Sequence, residues 1–179
     1  YDFAMKPRAW VRKELHVTGE RTWMELNGID CIPTEQLATK KSICTSRSFP
    51  GMIEDLLGLR TQVSNYAARC AEKLRRQHTV CANIMVFIDT NRFRDDLPQY
   101  SNSAMEVLLT PVNSTQEVVD AALRALKRIF IQGYKYKRAG VIVSAISDEG
   151  KVQTNFLDFD PEKHEKLKRL TASIDKINK

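Results

Sequence analysis

The spacing of apolar and polar positions changes several times between residues 39 and 147, and each change marks an element of secondary structure. A strand is predicted over residues 39–51, ending at Phe49-Pro50-Gly51. In this stretch Lys41, Ile43, Thr45 and Arg47 alternate with Ser42, Cys44, Ser46 and Ser48. A helix is predicted over residues 53–77, because apolar residues recur at every third or fourth position. Its apolar stripe consists of Leu59, Val63, Ala67, Cys70 and Leu74.

The rest of this region continues the alternation of strands and helices. A nearly continuous apolar run over residues 80–88 predicts a central strand, and a further strand is predicted over 103–110. Ser114 and Glu117 form a capping box, which predicts a helix ending near Gln132. A last strand is predicted over 136–146. The order β-α-β-β-α-β predicts an α+β, ferredoxin-like split β-α-β sandwich: a four-stranded antiparallel sheet with two helices on one face and the other face open.

The flanking segments have different patterns. Residues 1–30 predict two short helices, the second of which begins at Thr18 and ends at Asn27-Gly28. Residues 31–38 have no helical period and contain Pro33, so they predict an extended linker. Residues 148–179 end in an amphipathic helix that begins near Pro161. Its apolar positions are Leu167, Leu170, Ile174 and Ile177.

Composition places the chain among globular proteins with a modest excess of positive charge. It has 179 residues, 42% of them apolar, a net charge of +6 and no apolar run near the roughly 20 residues of a membrane span. Residues 91–120 carry two basic and five acidic groups, whereas 121–150 carry six basic and two acidic. This asymmetry favours a surface that faces a nucleic acid on one side, although a solvated helix face with charges of both signs would give the same counts.

The ends of the chain and its cysteines limit the cellular context. The first residue is Tyr1 and no apolar signal segment follows the basic N-terminal residues, so we expect a piece of a longer cytoplasmic protein. The four cysteines form no C-x-x-C pair and have no histidine at zinc-ligand spacing. We therefore expect free thiols, buried at Cys44, Cys70 and Cys81, rather than a metal site or a disulfide framework.

Cations and hydroxyls are concentrated on two of the predicted strands. The first strand has Lys40, Lys41, Ser42, Ser46, Arg47 and Ser48, and the last has Lys137, Arg138 and Gly140. Lysine, arginine, hydroxyl groups and backbone amides are the usual ligands of phosphates, and glycine allows a close approach. The alternative is that these charges only protect the edge strands of a soluble sheet from aggregation.

Three separated phrases connect this pattern with a known family. They are SNYAARCAEKLR over residues 64–75, NSA at 102–104 followed by LLTP at 108–111, and YKRAGV at 136–141. In this order the chain, from about Val17 to Lys179, resembles the C-terminal part of the UmuC group of Y-family translesion DNA polymerases, which act in the bacterial SOS response. The resemblance implies that residues 1–30 end a thumb domain and that 39–147 form the little finger, the domain that grips DNA.

The resemblance also implies which residues contact the partners. Damaged template-primer DNA would bind the nine residues named above on the first and last strands. A sliding clamp would bind a motif similar to Gln-Leu-x-Leu-Phe, although Thr154 replaces the usual leucine and the last two residues are reversed. The matching residues are Gln153, Asn155, Phe156 and Leu157. These apolar residues could instead attach the tail to the core of the domain.

Catalysis is assigned to another part of such a polymerase. The carboxylates that bind Mg²⁺ lie upstream in the palm domain of the family, so we expect no cofactor and no enzyme activity in this chain by itself. The processed accessory subunit and the recombinase filament are further partners that the resemblance implies, without assigned residues, and no membrane contact is expected. Two other classes stay open: a stand-alone ferredoxin-like module that binds RNA or a ligand, and a protein-interaction domain that uses its tail helix.

Overall fold

The computed structural model describes residues 2–31 and 40–151, together with residues 166, 169–171 and 173 near the C-terminus. The chain divides into two compact units, Tyr1–Thr39 and Lys40–Lys179. Apart from Cys31, the predicted linker over 31–38 lies outside the described residues.

The first unit contains the helix α1, Arg8–Leu26, which is interrupted at His16 (φ 55°, ψ −159°). The two parts of α1 on either side of this residue are the two short helices that the sequence predicts. Glu20 is only 4% exposed, and its carboxylate accepts hydrogen bonds from Arg8, at 2.7 Å, and from Arg12. The bond from Arg8 contributes most to holding the pKa of Glu20 below its ordinary value. These ion pairs therefore join the second part of α1 to the first.

The second unit contains the α+β fold that the sequence predicts. Its elements are β1 (Ser42–Ile53), α2 (Leu56–Arg76), β2 (Thr79–Thr90), β3 (Ser101–Val112), α3 (Thr115–Ile129), β4 (Tyr136–Asp148) and a 3₁₀ turn at Glu149–Lys151. The strands form one antiparallel sheet in the order β1-β4-β2-β3. The central position predicted for β2 is confirmed, and β1 and β3 are the edges of the sheet.

The core lies between one face of the sheet and the helices α2 and α3. Every residue of the apolar stripe predicted for α2 is fully buried, as are Val118, Ala122 and Ala125 on α3. They pack against Ile84, Val86, Ile88, Val141 and Val143 of the two central strands. Because the helices cover one face, the side chains on the other face of the sheet form a separate surface.

The strand β1 is longer than predicted. The sequence predicts its end at Phe49-Pro50-Gly51, but β1 continues to Ile53 with a shift in register after Ser48. Proline lacks an N–H and is excluded from central strands, but it is tolerated at the edge of a sheet. Pro50 therefore lies within β1 because β1 has a neighbour on only one side.

The helix α3 differs from the prediction at both ends. Ser114 caps the helix by accepting a hydrogen bond from the amide of Glu117 at 3.5 Å. The buried Oε2 of Glu117 has no partner among the described residues, so this oxygen does not supply the reciprocal half of the capping box. The helix ends at Ile129 rather than near Gln132, because Phe130 adopts an extended conformation with ψ 130°.

The cysteines and the C-terminal residues bring further corrections. Cys70 and Cys81 are buried free thiols, as expected, and burial raises the pKa of Cys81 to about 12. Cys44 is exposed, because it lies on the sheet face that the helices leave open. The described residues of the predicted tail helix are helical, but Leu170 is 57% exposed and Thr171 is buried. No helix in the described ranges combines the length and apolar character of a membrane span.

Candidate nucleic-acid interface

The open face of the sheet brings residues of all four strands side by side. Paired residues of neighbouring strands share a face, so cross-strand rows can be read from the register. One row consists of Ser48, Arg138, Asp89 and Ser101. The next row consists of Ser46, Gly140, Phe87 and Ser103. Hydroxyls, one guanidinium, the carboxylate of Asp89 and one aromatic ring therefore meet at one end of the open face.

Arg138 is the cation at the centre of this end. Its side chain is exposed, its guanidinium carbon lies 5.1 Å from the centroid of the Phe87 ring, and its Nη2 donates to the hydroxyl of Ser46 at 3.5 Å. No carboxylate in the described parts of the chain comes within 4 Å of it. These contacts orient the guanidinium. Since they leave most of its five N–H donors unused, it is able to bind an anion.

Lys137 has a different role from its neighbour in this structure. The register between β2 and β4 shifts beside it, so Lys137 occupies a bulge. Its Nζ donates to the carbonyls of Phe49 at 2.6 Å and Pro50 at 3.2 Å. These bonds attach the irregular end of β1 to β4. The sequence suggested that Lys137 and Arg138 act together on phosphates, whereas here only Arg138 extends freely onto the open face.

Gly140 is buried, and the space next to it is filled. A Cβ at this position would clash with Cζ of Phe87 and would lie 2.5 Å from Cβ of Ser46. The sequence suggested that Gly140 allows a DNA backbone to come close. The structure adds a second reason for a glycine here, because the position accommodates the ring of Phe87; the close approach of DNA stays a prediction. Phe87 in turn lies under the guanidinium of Arg138, so Gly140 acts on the site through packing.

The alternation along β1 separates the residues that the sequence grouped together. Ser42, Ser46 and Ser48 lie in the rows of the open face, because they pair with Ser144, Gly140 and Arg138 of β4. Arg47 lines a groove beside α2 instead. Lys40 and Lys41 are exposed and precede the strand. The DNA-binding set predicted on β1 is therefore distributed over two neighbouring surfaces.

Two features of the surface were missed by the sequence reasoning. Met105, Val107 and Leu109 of β3 are 47%, 65% and 73% exposed, and they make the far side of the open face apolar. In the sequence these apolar residues occupy every second position of the strand. This period of two was the signal from which an exposed apolar row could have been predicted. Arg69, Lys73 and Arg76 of α2 face the same groove as Arg47. Their spacing of four and three residues places them on one side of the helix.

The clamp-binding residues predicted from the sequence lie outside the described residues. They are Gln153, Asn155, Phe156 and Leu157. The clamp motif therefore stays a prediction from the sequence.

Comparison with known proteins agrees with the resemblance noted in the sequence. Residues 40–156 match the impB/mucB/samB family C-terminal domain. Protein UmuC of Salmonella typhimurium is 39% identical over 149 residues, which is 83% of this chain and 35% of that protein. Protein SamB of Salmonella typhimurium is 37% identical over 170 residues (94% and 40%), and protein MucB of Escherichia coli is 36% identical over 147 residues (82% and 35%).

The extent of these matches decides what they establish. The chain spans about 35–40% of the length of these curated relatives. The matched domain begins at residue 40, where the second compact unit also begins, and it includes all four strands and both helices of the sandwich. The chain belongs to the impB/mucB/samB family, and residues 40–156 are its C-terminal domain.

Proposed function

We propose that this chain is the DNA-gripping region of a UmuC-type translesion polymerase that acts in SOS DNA repair in the bacterial cytoplasm. The observation that carries the proposal is the polar end of the open sheet face. There Arg138, supported by Phe87 and Ser46, has no carboxylate partner among the described residues. Family membership supports the same function.

The chemistry of this surface suits contacts with the sugar-phosphate backbone. A guanidinium and several serine hydroxyls can donate hydrogen bonds to phosphate oxygens, but they do not by themselves distinguish one base from another. Binding would therefore depend on salt and little on sequence, as a polymerase that moves along its template requires. In this proposal a separate palm domain supplies the carboxylates, the Mg²⁺ ions and the nucleotidyl transfer.

The first test is a titration of a fluorescent primer-template with the 179-residue chain across a salt series. With about three to five phosphates contacted, log K should fall with log salt at a slope of about −3 to −4.5. Arg138→Ala should make the slope shallower by about 0.9, because one phosphate contact is lost. Lys127→Ala is the matched control, since Lys127 is an exposed cation on α3, whose inner face packs against the other side of the sheet.

Two results would contradict the proposal. One is a wild-type slope near zero, and the other is an equal effect of Arg138→Ala and Lys127→Ala. The first result would favour the protein-interaction class, for which the exposed Val107 and Leu109 offer a surface. The processed accessory subunit and the recombinase filament would then be the first partners to examine. Equal binding of RNA and DNA would favour the stand-alone RNA-binding class.

A second contact is proposed between the segment after β4 and the sliding clamp. Gln153 would donate and accept hydrogen bonds through its amide, while Phe156 and Leu157 fill an apolar pocket. The wild-type chain should bind its clamp with a Kd in the micromolar range, or about −8 kcal/mol. Gln153→Ala/Phe156→Ala should weaken binding at least about tenfold, since both anchors are removed. Surface-immobilised clamp gives the readout.

Asp158→Ala is the control for the clamp experiment, because Asp158 follows the motif without being part of it. Unchanged clamp affinity of the double variant would remove the clamp site from the proposal. If the thermal midpoint of the double variant also fell, the apolar residues would instead attach the tail to the domain.

A further inference from the structure

A groove of about 520 Å³ lies between the edge strand β1 and the helix α2. It adjoins the rows of the open face, with which it shares Ser46. Its walls are the outer part of β1 and the side of α2 that faces this strand. The lining residues are Cys44, Thr45, Ser46, Arg47, Arg69, Glu72, Lys73 and Arg76.

The charges in this groove are unbalanced. Four of its residues are cationic and only Glu72 is acidic. Glu72 already pairs with Arg76, at 2.6 Å. Within the described ranges no carboxylate lies within 4 Å of Arg47, Arg69 or Lys73. Cations held close together repel each other, and a bound anion would relieve this repulsion.

Arg47 and Arg69 line the groove from its two walls. Both act electrostatically on the phenol of Tyr66, where they oppose the burial that raises its pKa. Lys73 is oriented by a hydrogen bond from its Nζ to Oγ1 of Thr45, at 3.4 Å. Three cations from two elements therefore face one space, and hydroxyls of β1 lie beside them.

The cations of α2 form a row along the groove. Arg69, Lys73 and Arg76 are four and three residues apart, which places them on one side of the helix over about 10 Å of its axis. Successive phosphates of one DNA strand advance by about 3.4 Å along the duplex axis, and they lie farther apart than this along the winding strand itself. The row is therefore long enough to face about two phosphates of one strand.

The groove is continuous with the open face through Ser46. This residue lines the groove, and its hydroxyl also accepts the hydrogen bond from Arg138. A strand held at Arg138 would reach the groove by crossing the edge strand β1. Only Cys44 among the lining residues is apolar, so the groove lacks the apolar anchors that a bound peptide normally uses.

We propose that this groove binds the phosphate backbone of the nucleic acid held on the open face, where one strand crosses β1 and continues along α2. The inference rests on the proposed DNA-binding function and extends it to the helix α2. It assigns Arg47, Arg69, Lys73 and Arg76 as phosphate ligands, with the hydroxyls of Thr45 and Ser46 as additional donors.

The test compares Arg69→Gln/Lys73→Gln with the control Arg60→Gln/Lys127→Gln. Both remove two positive charges, but the control residues are exposed and do not line the groove. The groove variant should make the salt slope for the primer-template shallower by about 1.8, since two contacts are lost. If the plots of log K against log salt for the variant and the wild type meet near 1 M salt, this difference in slope corresponds to about 30-fold weaker binding at 150 mM. Thermal unfolding of both variants should match the wild type.

The outcomes separate this inference from the function on which it rests. In one outcome the wild type binds DNA and Arg138→Ala weakens this binding, but the groove variant behaves like the control. The groove inference alone is then overturned. If the wild type binds no DNA, the proposed function fails and the inference fails with it. A poly-glutamate peptide is the competing probe. If the groove variant loses binding of this peptide but keeps the DNA affinity of the control, the groove is a peptide site and the proposal is overturned.

Discussion

Leu74→Ala is expected to lower the free energy of unfolding by about 2–5 kcal/mol. Leu74 is fully buried on α2 within the hydrophobic core between the helices and the sheet. Truncating its isobutyl group to a methyl group loses free energy of burial and leaves a cavity that close-packed neighbours cannot fill. Leu57→Ala is the matched control, because Leu57 lies on the same helix but is 73% exposed. Its cost should stay within about 0.5 kcal/mol.

Urea denaturation followed by circular dichroism measures both changes. The midpoint should fall for Leu74→Ala, while the dependence on urea stays constant, because the surface exposed on unfolding hardly changes. If Leu74→Ala leaves no folded protein at 25 °C, Leu74→Met replaces it, with an expected cost below about 1.5 kcal/mol. Equal costs at positions 57 and 74 would contradict the packing of α2 against the sheet.

Gly140→Ala is expected to destabilise the domain by about 1–3 kcal/mol. In an ordinary strand the same change stabilises by about 0.5–1 kcal/mol, because alanine loses less backbone entropy on folding. At Gly140 the added Cβ would meet the ring of Phe87 and the Cβ of Ser46. The ring can tilt, but the Cβ of Ser46 is fixed by the backbone of β1. A lower stability of Gly140→Ala therefore indicates that the two strands and the ring are in contact, and a higher stability indicates that they are not.

Gly51→Ala is the control for this prediction. Gly51 also lies in the sheet, in β1, and a Cβ there would meet nothing within 4 Å, so the change should be neutral or slightly stabilising. The combined change Gly140→Ala/Phe87→Ala should cost less than the sum of the single changes, because the ring no longer clashes. A Gly140→Ala protein of normal stability that lost DNA affinity would instead support a close approach of the DNA backbone to Gly140.

The fold could be predicted from the sequence because burial sets the local periodicity. Each residue of the predicted stripe on α2 is fully buried, and the apolar run over residues 80–88 belongs to a central strand. The three phrases over residues 64–75, 102–111 and 136–141 identified the family correctly. These signals are short-range or depend on the order of motifs, so they do not require knowledge of which strands are neighbours.

The candidate site was harder to predict because it depends on pairing between distant strands. Ser46 and Arg47 are adjacent in sequence and both line the groove, yet only Ser46 also lies in a row of the open face. The contact between Gly140 and Phe87 and the bulge at Lys137 both follow from the register of β4 against β2. The alternation of side chains along a strand predicts its two faces. Only the register shows which residues of neighbouring strands lie side by side on a face.

The position of β4 between β1 and β2 has a consequence for synthesis. Ser42 of β1 pairs with Ser144 of β4, so its partner is translated about 100 residues later. At roughly 5–20 residues per second, the ribosome needs about 5–20 s to supply that strand. During this interval β1 has no partner, and once β2 has been translated, the side of β2 that pairs with β4 has none either. Unpaired strands with apolar residues tend to aggregate, so the nascent sheet is protected only when β4 emerges and joins its two halves.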